Sequence, residues 1–381
     1  MSRYVTKRAA SSAGLFVSAA VFLAAVVGCG GQSLQSRGGS GVELTLRAVP
    51  SEGQPPITSA QLQKAADIVR NRMRKLGAAG KVTTRPGSDE LVVRIDGARL
   101  RPEELHLLDV TAQLMLFDFE NDLTGPSRDA NGSPVASPSL YGLLSKVQRQ
   151  AAGGKPEAYY LFNANTSLVT RTPSLIAGPS DTKAELLREV GGKVPKNGTI
   201  LAVPSKSLVV SCPVANGCLG IQVGKLSRNG GYYYLLKYDP QNKTSPVPEM
   251  NGSDLVPSGT KANFGQAGNP VVLLQFTRHG SRQFGRITRQ EAQRGQTKYN
   301  LAGKQGDYLN YVQHFAIVLD GVLQSTPYID FKQNPDGIPG PNAQIDMGNG
   351  GTFQDAKNLA LLLQTGALPV TFLKVSERAE R

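Results

Sequence analysis

The side chains best suited to chemistry are few in this 381-residue chain: His106, His279 and His314, and Cys29, Cys212 and Cys218. A helical zinc site needs two imidazoles one turn apart, and a histidine base needs a reacting partner within hydrogen-bond reach. The three histidines are far apart in sequence, so nothing local argues for either. There is no GxxxxGK[ST] phosphate loop, no GxSxG elbow and no HExxH pair, and the run Gly38-Gly39-Ser40-Gly41 follows no strand and reads as linker. The sequence therefore offers no catalytic residue, no metal ligand and no cofactor site, and the reading is non-enzymatic.

The cysteines point to a compartment. Arg3, Lys7 and Arg8 precede an apolar run over residues 13–27, about fifteen residues where a spanning helix needs ~20. The run ends in Val26-Val27-Gly28-Cys29. A basic start, a short apolar stretch and small residues form a secretory signal, and these last four residues resemble the bacterial lipobox, whose cysteine becomes the lipid-modified first residue of the mature chain. An uncleaved anchor helix starting nearer Ala9 is the competing reading. Either one places the rest on the outer face of the bacterial cytoplasmic membrane, held by a lipidated Cys29, at ~0.8 kcal/mol per buried methylene, or by an N-terminal helix. In that oxidising space Cys212 and Cys218, with Pro213, Asn216 and Gly217 to bend the chain, are expected to close a small loop as a disulfide worth roughly 2 kcal/mol. Two free thiols are the alternative. The net charge of +13 suits nucleic acid, but three of the positive charges precede Cys29 and export removes the target, so no nucleic-acid partner is expected.

The remaining residues must fold in water. After the segment 1–29 and a Gly/Ser linker over 30–41, residues 42–49 read as a strand and 59–76 as a helix with the stripe Leu62, Ala65, Ala66, Val69, Met73 and Leu76. Thr58 and Gln61 have the form of a capping box, and Gly77 suits a left-handed stop. Residues 81–85 and 90–96 read as a hairpin with Leu91, Val93 and Ile95 alternating, Pro102 opens a short helix, and 113–119 is read as the last strand. The order strand, helix, strand, strand, helix, strand predicts an α+β fold: a ferredoxin-like split βαβ base over 42–120 with an inserted or appended α+β head. Residues 121–250 lack periodicity, apart from helical stretches at 140–152 and 183–190, and are expected to form an irregular insertion. A head block over 251–375 contains a strand at 271–276, a helix at 281–293, a hairpin turning at Asp320-Gly321 and a helix at 352–365 capped by Thr352 and Asp355.

The motifs in these blocks resemble a known family. Ile68-Val69-Arg70-Asn71-Arg72, Leu91-Val92-Val93-Arg94-Ile95 and Thr111-Ala112-Gln113-Leu114 come first. Asn251-Gly252-Ser253-Asp254-Leu255, Ala316-Ile317-Val318-Leu319-Asp320-Gly321 and the run from Asn358 through Gly366-Ala367-Leu368-Pro369 follow in the same order. Over 42–119 and 251–375 the chain is similar to the first large extracytoplasmic domain of SecD, the accessory subunit of the Sec protein translocase. The resemblance implies a base carrying a mobile head that engages unfolded secretory preproteins. It also implies partners in the Sec channel and in SecF-like or SecD membrane subunits. In the family, membrane helices after this domain couple movement to proton flow, where one charge crossing supplies ~2.3 kcal/mol per 100 mV. This sequence stops at Arg381, so a translocation factor without proton coupling of its own is expected. A stand-alone envelope lipoprotein using the fold as a ligand-binding or structural module is the alternative. No residue is assigned to preprotein. The strand at 271–276 is a candidate for strand addition set against a buried core strand, and Arg282, Arg286 and Arg289, with Arg278, are a candidate face for anionic lipid or acidic partners set against a solvated helix face.

Overall fold

The computed structural model describes residues 41–49, 56–97, 100–164, 173–222, 224–227, 230–348 and 351–379. The candidate lipidation residue Cys29 and the signal or anchor segment lie outside them.

Strand β1 (Val42–Val49) leads to helix α1 (Ser59–Lys75). Thr58 and Gln61 cap it reciprocally, each accepting the other's backbone N–H, at 3.2 and 2.9 Å, so two amides left over by the helix start are satisfied. Its helical repeat Leu62, Ala65, Ala66, Val69 and Met73 is buried. Beyond Gly77, at φ 73°, come β2 (Gly80–Thr84), β3 (Glu90–Ile95) and the one-turn α2 (Pro102–His106), then β4 (Leu114–Asp118) and α3 (Phe119–Asp122).

The region expected to be irregular, 121–250, is built of short elements. These are α4 (Leu140–Ser145), α5 (Gln148–Ala151), β5 (Ala158–Asn163), β6 (Ser174–Ser180), α6 (Lys183–Arg188), β7 (Gly198–Val203), β8 (Ser207–Pro213), β9 (Gly231–Lys237) and β10 (Met250–Asn251). The helix expected over 140–152 is two short helices. Helices of one turn leave too few residues for a 3.6-residue period to show, which is why the pattern faded here. Cys212, at the end of β8, is bonded to Cys218. Replacing both by alanine is expected to lower stability by about 2 kcal/mol through loop closure, read as a shift in urea midpoint at constant slope. Reduction by a thiol should shift the unmutated chain equally.

The last third holds β11 (Lys261–Phe264), β12 (Pro270–Gln275), α7 (Arg278–Leu301), β13 (Gln313–Leu319), β14 (Val322–Ser325), β15 (Tyr328–Ile329), β16 (Asn342–Asp346), α8 (Phe353–Thr365) and β17 (Thr371–Ala379). Helix α7 extends well past the expected 281–293. Its polar last turns carry no apolar stripe, so the sequence pattern ended before the helix does.

The pairing of these strands corrects the expected base. A four-stranded antiparallel sheet has the order β17-β1-β3-β2, and β4 is not in it. The strand read at 113–119 as the fourth member pairs instead with β13 and β10, inside a seven-stranded sheet ordered β10-β4-β13-β14-β8-β9 with β15 on β13. The edge beside β1 belongs to β17, from the far end of the chain, so the expected blocks 42–120 and 251–375 exchange strands. The cause is visible in the residues. Leu44, Leu46, Leu91, Val93 and Ile95 alternate because the small sheet buries one face, against α1. In β4, Leu114 and Leu116 enter one core while Met115 and Phe117 enter another, and a continuous apolar run is what a strand buried on both faces requires.

The β13–β14 hairpin turns at Asp320 and Gly321, with φ of 48° and 74°, the pair of positive values a type I′ turn needs. The Asp320 carboxylate accepts the backbone N–H groups of Ala112 and Gln113, both at 2.8 Å, and so fastens the turn to the start of β4.

Candidate functional site

The cleft of main interest, about 490 Å³, opens between α7 and the corner where β4 turns into α3. Arg286, Gln290, Gln293, Arg294, Thr297 and Lys298 line the α7 side, and Asp118, Asn121, Ser245 and Glu249 face them. No histidine or cysteine lines it.

Beneath the cleft five carboxylates converge from three stretches of chain. β4 ends at Asp118 and continues directly into α3, which places Asp118, Glu120 and Asp122 together, all buried. Glu249 immediately precedes β10, whose pairing with β4 sets Met250 opposite Leu116 and brings the Glu249 carboxylate within 3.4 Å of the Asp118 amide. Glu291 sits on α7 in the buried stripe Phe284, Ile287, Thr288, Glu291, Ala292 and Gly295. It has no exposed surface, and neither of its carboxylate oxygens has a hydrogen-bond partner.

Three basic groups contact these carboxylates directly, and Arg286 and Lys298 line the cleft beside Asp118 and Glu249. Arg294, one turn after Glu291, donates from Nη2 to Asp118 Oδ1 at 2.5 Å. Lys237 of β9 lies 3.9 Å from Asp122 and donates to the Asn121 carbonyl at 2.7 Å. His314 of β13 gives Glu120 both its backbone N–H, at 2.8 Å, and a contact from Nδ1 at 2.5 Å. Like charges held together out of water disfavour ionisation. Burial raises Asp118 despite Arg294. Burial, then the charges of Glu249 and Asp118, push Asp122 up to about 9. Glu249 is also raised by burial, with the charge of Asp118 adding to it. Burial lifts Glu291 well above the carboxylate range, with Asp118 and Glu120 adding to it. Burial and mutual repulsion thus favour the neutral forms of Asp122 and Glu291.

The residues singled out from sequence lie elsewhere or take other roles. His106 contacts Asp109 at 3.2 Å, and that neighbouring carboxylate raises its pKa. His279 contacts Asp254 at 2.8 Å. Among the described residues no group of three His, Cys, Asp or Glu side chains is placed to hold a metal ion. Residues 271–276 form β12, flanked on both edges by β11 and β16, with Val271, Val272 and Leu274 buried, so that strand has no free edge for an added chain. Arg278, Arg282, Arg286 and Arg289 are exposed along α7. Arg286 bonds Gln283 and Gln290 and lines the cleft, and Arg289 donates to the Asp336 carbonyl at 3.0 Å. The buried carboxylates were missed. An acid four residues after Ile287 and seven after Phe284, within an apolar stripe, was the available signal for Glu291. Nothing local marks Glu249.

Residues 234–370 match the family model of the SecDF P1 head subdomain. Over these residues the chain is similar to the P1 head of SecDF. Protein translocase subunit SecD of Acidaminococcus fermentans is 32% identical over 129 residues, which are 34% of this chain and 24% of that one. Subunit SecDF of Thermus thermophilus is 33% identical over 130 residues, 34% of this chain and 14% of that one. The chain thus matches a quarter or less of either relative's length. A solved structure of SecDF, a membrane component that enhances protein export, aligns with 88% of this chain and 99% of its own at 19% identity and a TM-score of 0.43. The carboxylate cluster straddles the family match: Glu249, Glu291 and Arg294 fall within it, whereas Asp118, Glu120 and Asp122 are supplied by β4 and α3 from before it.

Proposed function

We propose that this chain is an accessory factor of Sec-dependent protein translocation, held at the outer face of the cytoplasmic membrane through Cys29 or an N-terminal helix, where it binds emerging, unfolded preprotein. The role is non-enzymatic. The P1 head match over residues 234–370 carries the reading. The Sec channel and SecD- or SecF-type membrane subunits are the partners it calls for. Among the described residues no helix is long and apolar enough to cross a membrane, and collecting energy from the membrane potential requires charge to move through the bilayer. The proposal therefore leaves proton coupling to those partners.

An unfolded chain of any sequence is recognised most generally through its backbone, by adding a strand to an open sheet edge. The three-stranded sheet has the order β6-β5-β7. The outer edge of β7 is closed by Gln148, whose side chain accepts the Ala202 N–H at 3.1 Å and donates to the Ala202 carbonyl at 2.9 Å. The edge strand β17 carries Lys374, Glu377 and Arg378, charges that discourage pairing. Strand β6 has neither of these, and is blunted only by register shifts against β5 and by Pro179 near its end. It pairs with β5 among the described residues, its sequence Ser-Leu-Ile-Ala-Gly-Pro-Ser is uncharged, and Leu175 and Ile176 are 49% and 40% exposed. These features support β6 as the docking edge.

A photoreactive side chain at Leu175 or Ile176, in membranes secreting a stalled preprotein, is expected to crosslink to the nascent chain. One at Val272, inside β12, is expected not to. Recovery of no nascent chain from positions 175 and 176 would remove the support for chain binding at this edge.

A further inference from the structure

The buried carboxylates of Asp118, Glu120, Asp122 and Glu291, with the half-buried Glu249, lie where α7 rests on the corner of β4 and α3. We propose that they form a proton-operated latch: protons held by Glu291 and by Asp122 keep α7 seated, and their loss releases α7 together with the chain around Glu249.

The geometry requires such protons. Asp122 is fully buried and its Oδ2 has no hydrogen-bond partner, so its ionised form would be an unrelieved charge close to Asp118 and Glu249. Glu291 has no partner for either oxygen, so its ionised form would be a bare charge in an apolar stripe. The groups facing it are Asp118 and Glu120 from the β4–α3 corner, Glu249 from beside β10 and Arg294 from α7 itself. His314 of β13 is engaged by Glu120, and Lys237 of β9 is nearest Asp122. Arg294 already serves Asp118. Arg286 and Lys298, also on α7, line the cleft with Asp118 and Glu249 but neither bonds Glu291, so its deprotonation leaves a bare buried charge whose available relief is to let water in by lifting α7.

The direction with pH follows. An acid raised in the folded state contributes stability that is fully present below its unfolded value, 3.8 for Asp122, and is lost as pH rises through the folded one, about 9. The latch is tight in acid and loosens towards alkaline pH, opposite to the usual loss of paired carboxylates in acid. Between Asp122's unfolded and folded values, a proton that it holds only in the closed state makes the opening constant rise roughly tenfold per pH unit.

Hydrogen exchange of the full chain in detergent micelles, corrected for the intrinsic pH dependence of exchange, tests this. Peptides covering α7 and residues 118–122 are expected to lose protection steeply with pH, while β1 and β3 hold theirs. E291Q, which keeps the shape and removes the titration, is expected to reduce that slope by about one decade per pH unit, and D122N to do the same. An infrared band of protonated carboxyl groups should persist at neutral pH and weaken in E291Q, a readout independent of folding stability. A slope unchanged in E291Q, an equal loss of protection in β1 and β3, or the absence of that band at neutral pH would each overturn the latch.

Discussion

Replacing Arg72 with methionine is expected to destabilise the chain by about 3–5 kcal/mol, the scale on which breaking a buried charged network acts. Arg72 is fully buried, and its guanidinium joins three parts of the fold. Nη1 donates to the carbonyls of Leu107, at 3.0 Å, and Val110, after α2. Nη2 donates to Gly366 O at 3.0 Å and Nε to Thr365 Oγ1 at 3.3 Å, both at the end of α8. Burial lowers its pKa to about 10, against the charges of Asp320 and Asp109, so it stays charged through the physiological range. Methionine fills much of the space and leaves the carbonyls of Leu107, Val110 and Gly366 without their charged donor. Lysine restores the charge without the planar fork that reaches several acceptors at once, and an intermediate loss is expected. Urea midpoints at pH 7 for the three proteins check the order.

Ending the chain after Val370 is expected to abolish the protection of β1 while β4 and β13 keep theirs. The cut removes β17, with eight register pairs to β1, at roughly 0.5 kcal/mol each. It also removes Phe372, buried against the α1 face, for about 2 kcal/mol more. A loss of about 4–6 kcal/mol falls on the small sheet alone. Hydrogen exchange resolved by peptide reads it directly. Were β4 the fourth strand of that sheet, β1 would be unaffected by the cut and β4 would share its stability instead.

These two outcomes bear on how far the sequence could be read. The α1 boundaries followed from Thr58, Gln61 and Gly77, the α8 start from Thr352 and Asp355, and the hairpin turn from Asp320-Gly321, because each depends on neighbours within a few residues. The one-sided burial of β1 and β3 was equally plain in their alternation. Chemistry was harder to see. Histidines and cysteines draw the eye, yet the charged centre is made of carboxylates whose individual neighbourhoods, Asp118 after an apolar run or Glu249 after a proline, look like ordinary loop ends.

The sequence by itself determined where α1, α8 and the strands β1 to β3 begin and which face of each is apolar, and it determined the resemblance to SecD, because local hydrogen bonding and side-chain spacing act over a turn or two. Tertiary structure alone decided that β17 rather than β4 sits beside β1, that Arg72 reaches Gly366, and that Glu249 and Glu291 meet Asp118 and Asp122. Those contacts join residues well over a hundred positions apart. Which apolar strand fills which edge, and which acids are then held neutral, is settled by packing the whole chain at once, because burial and charge interaction depend on distance in space and carry no mark in the local pattern.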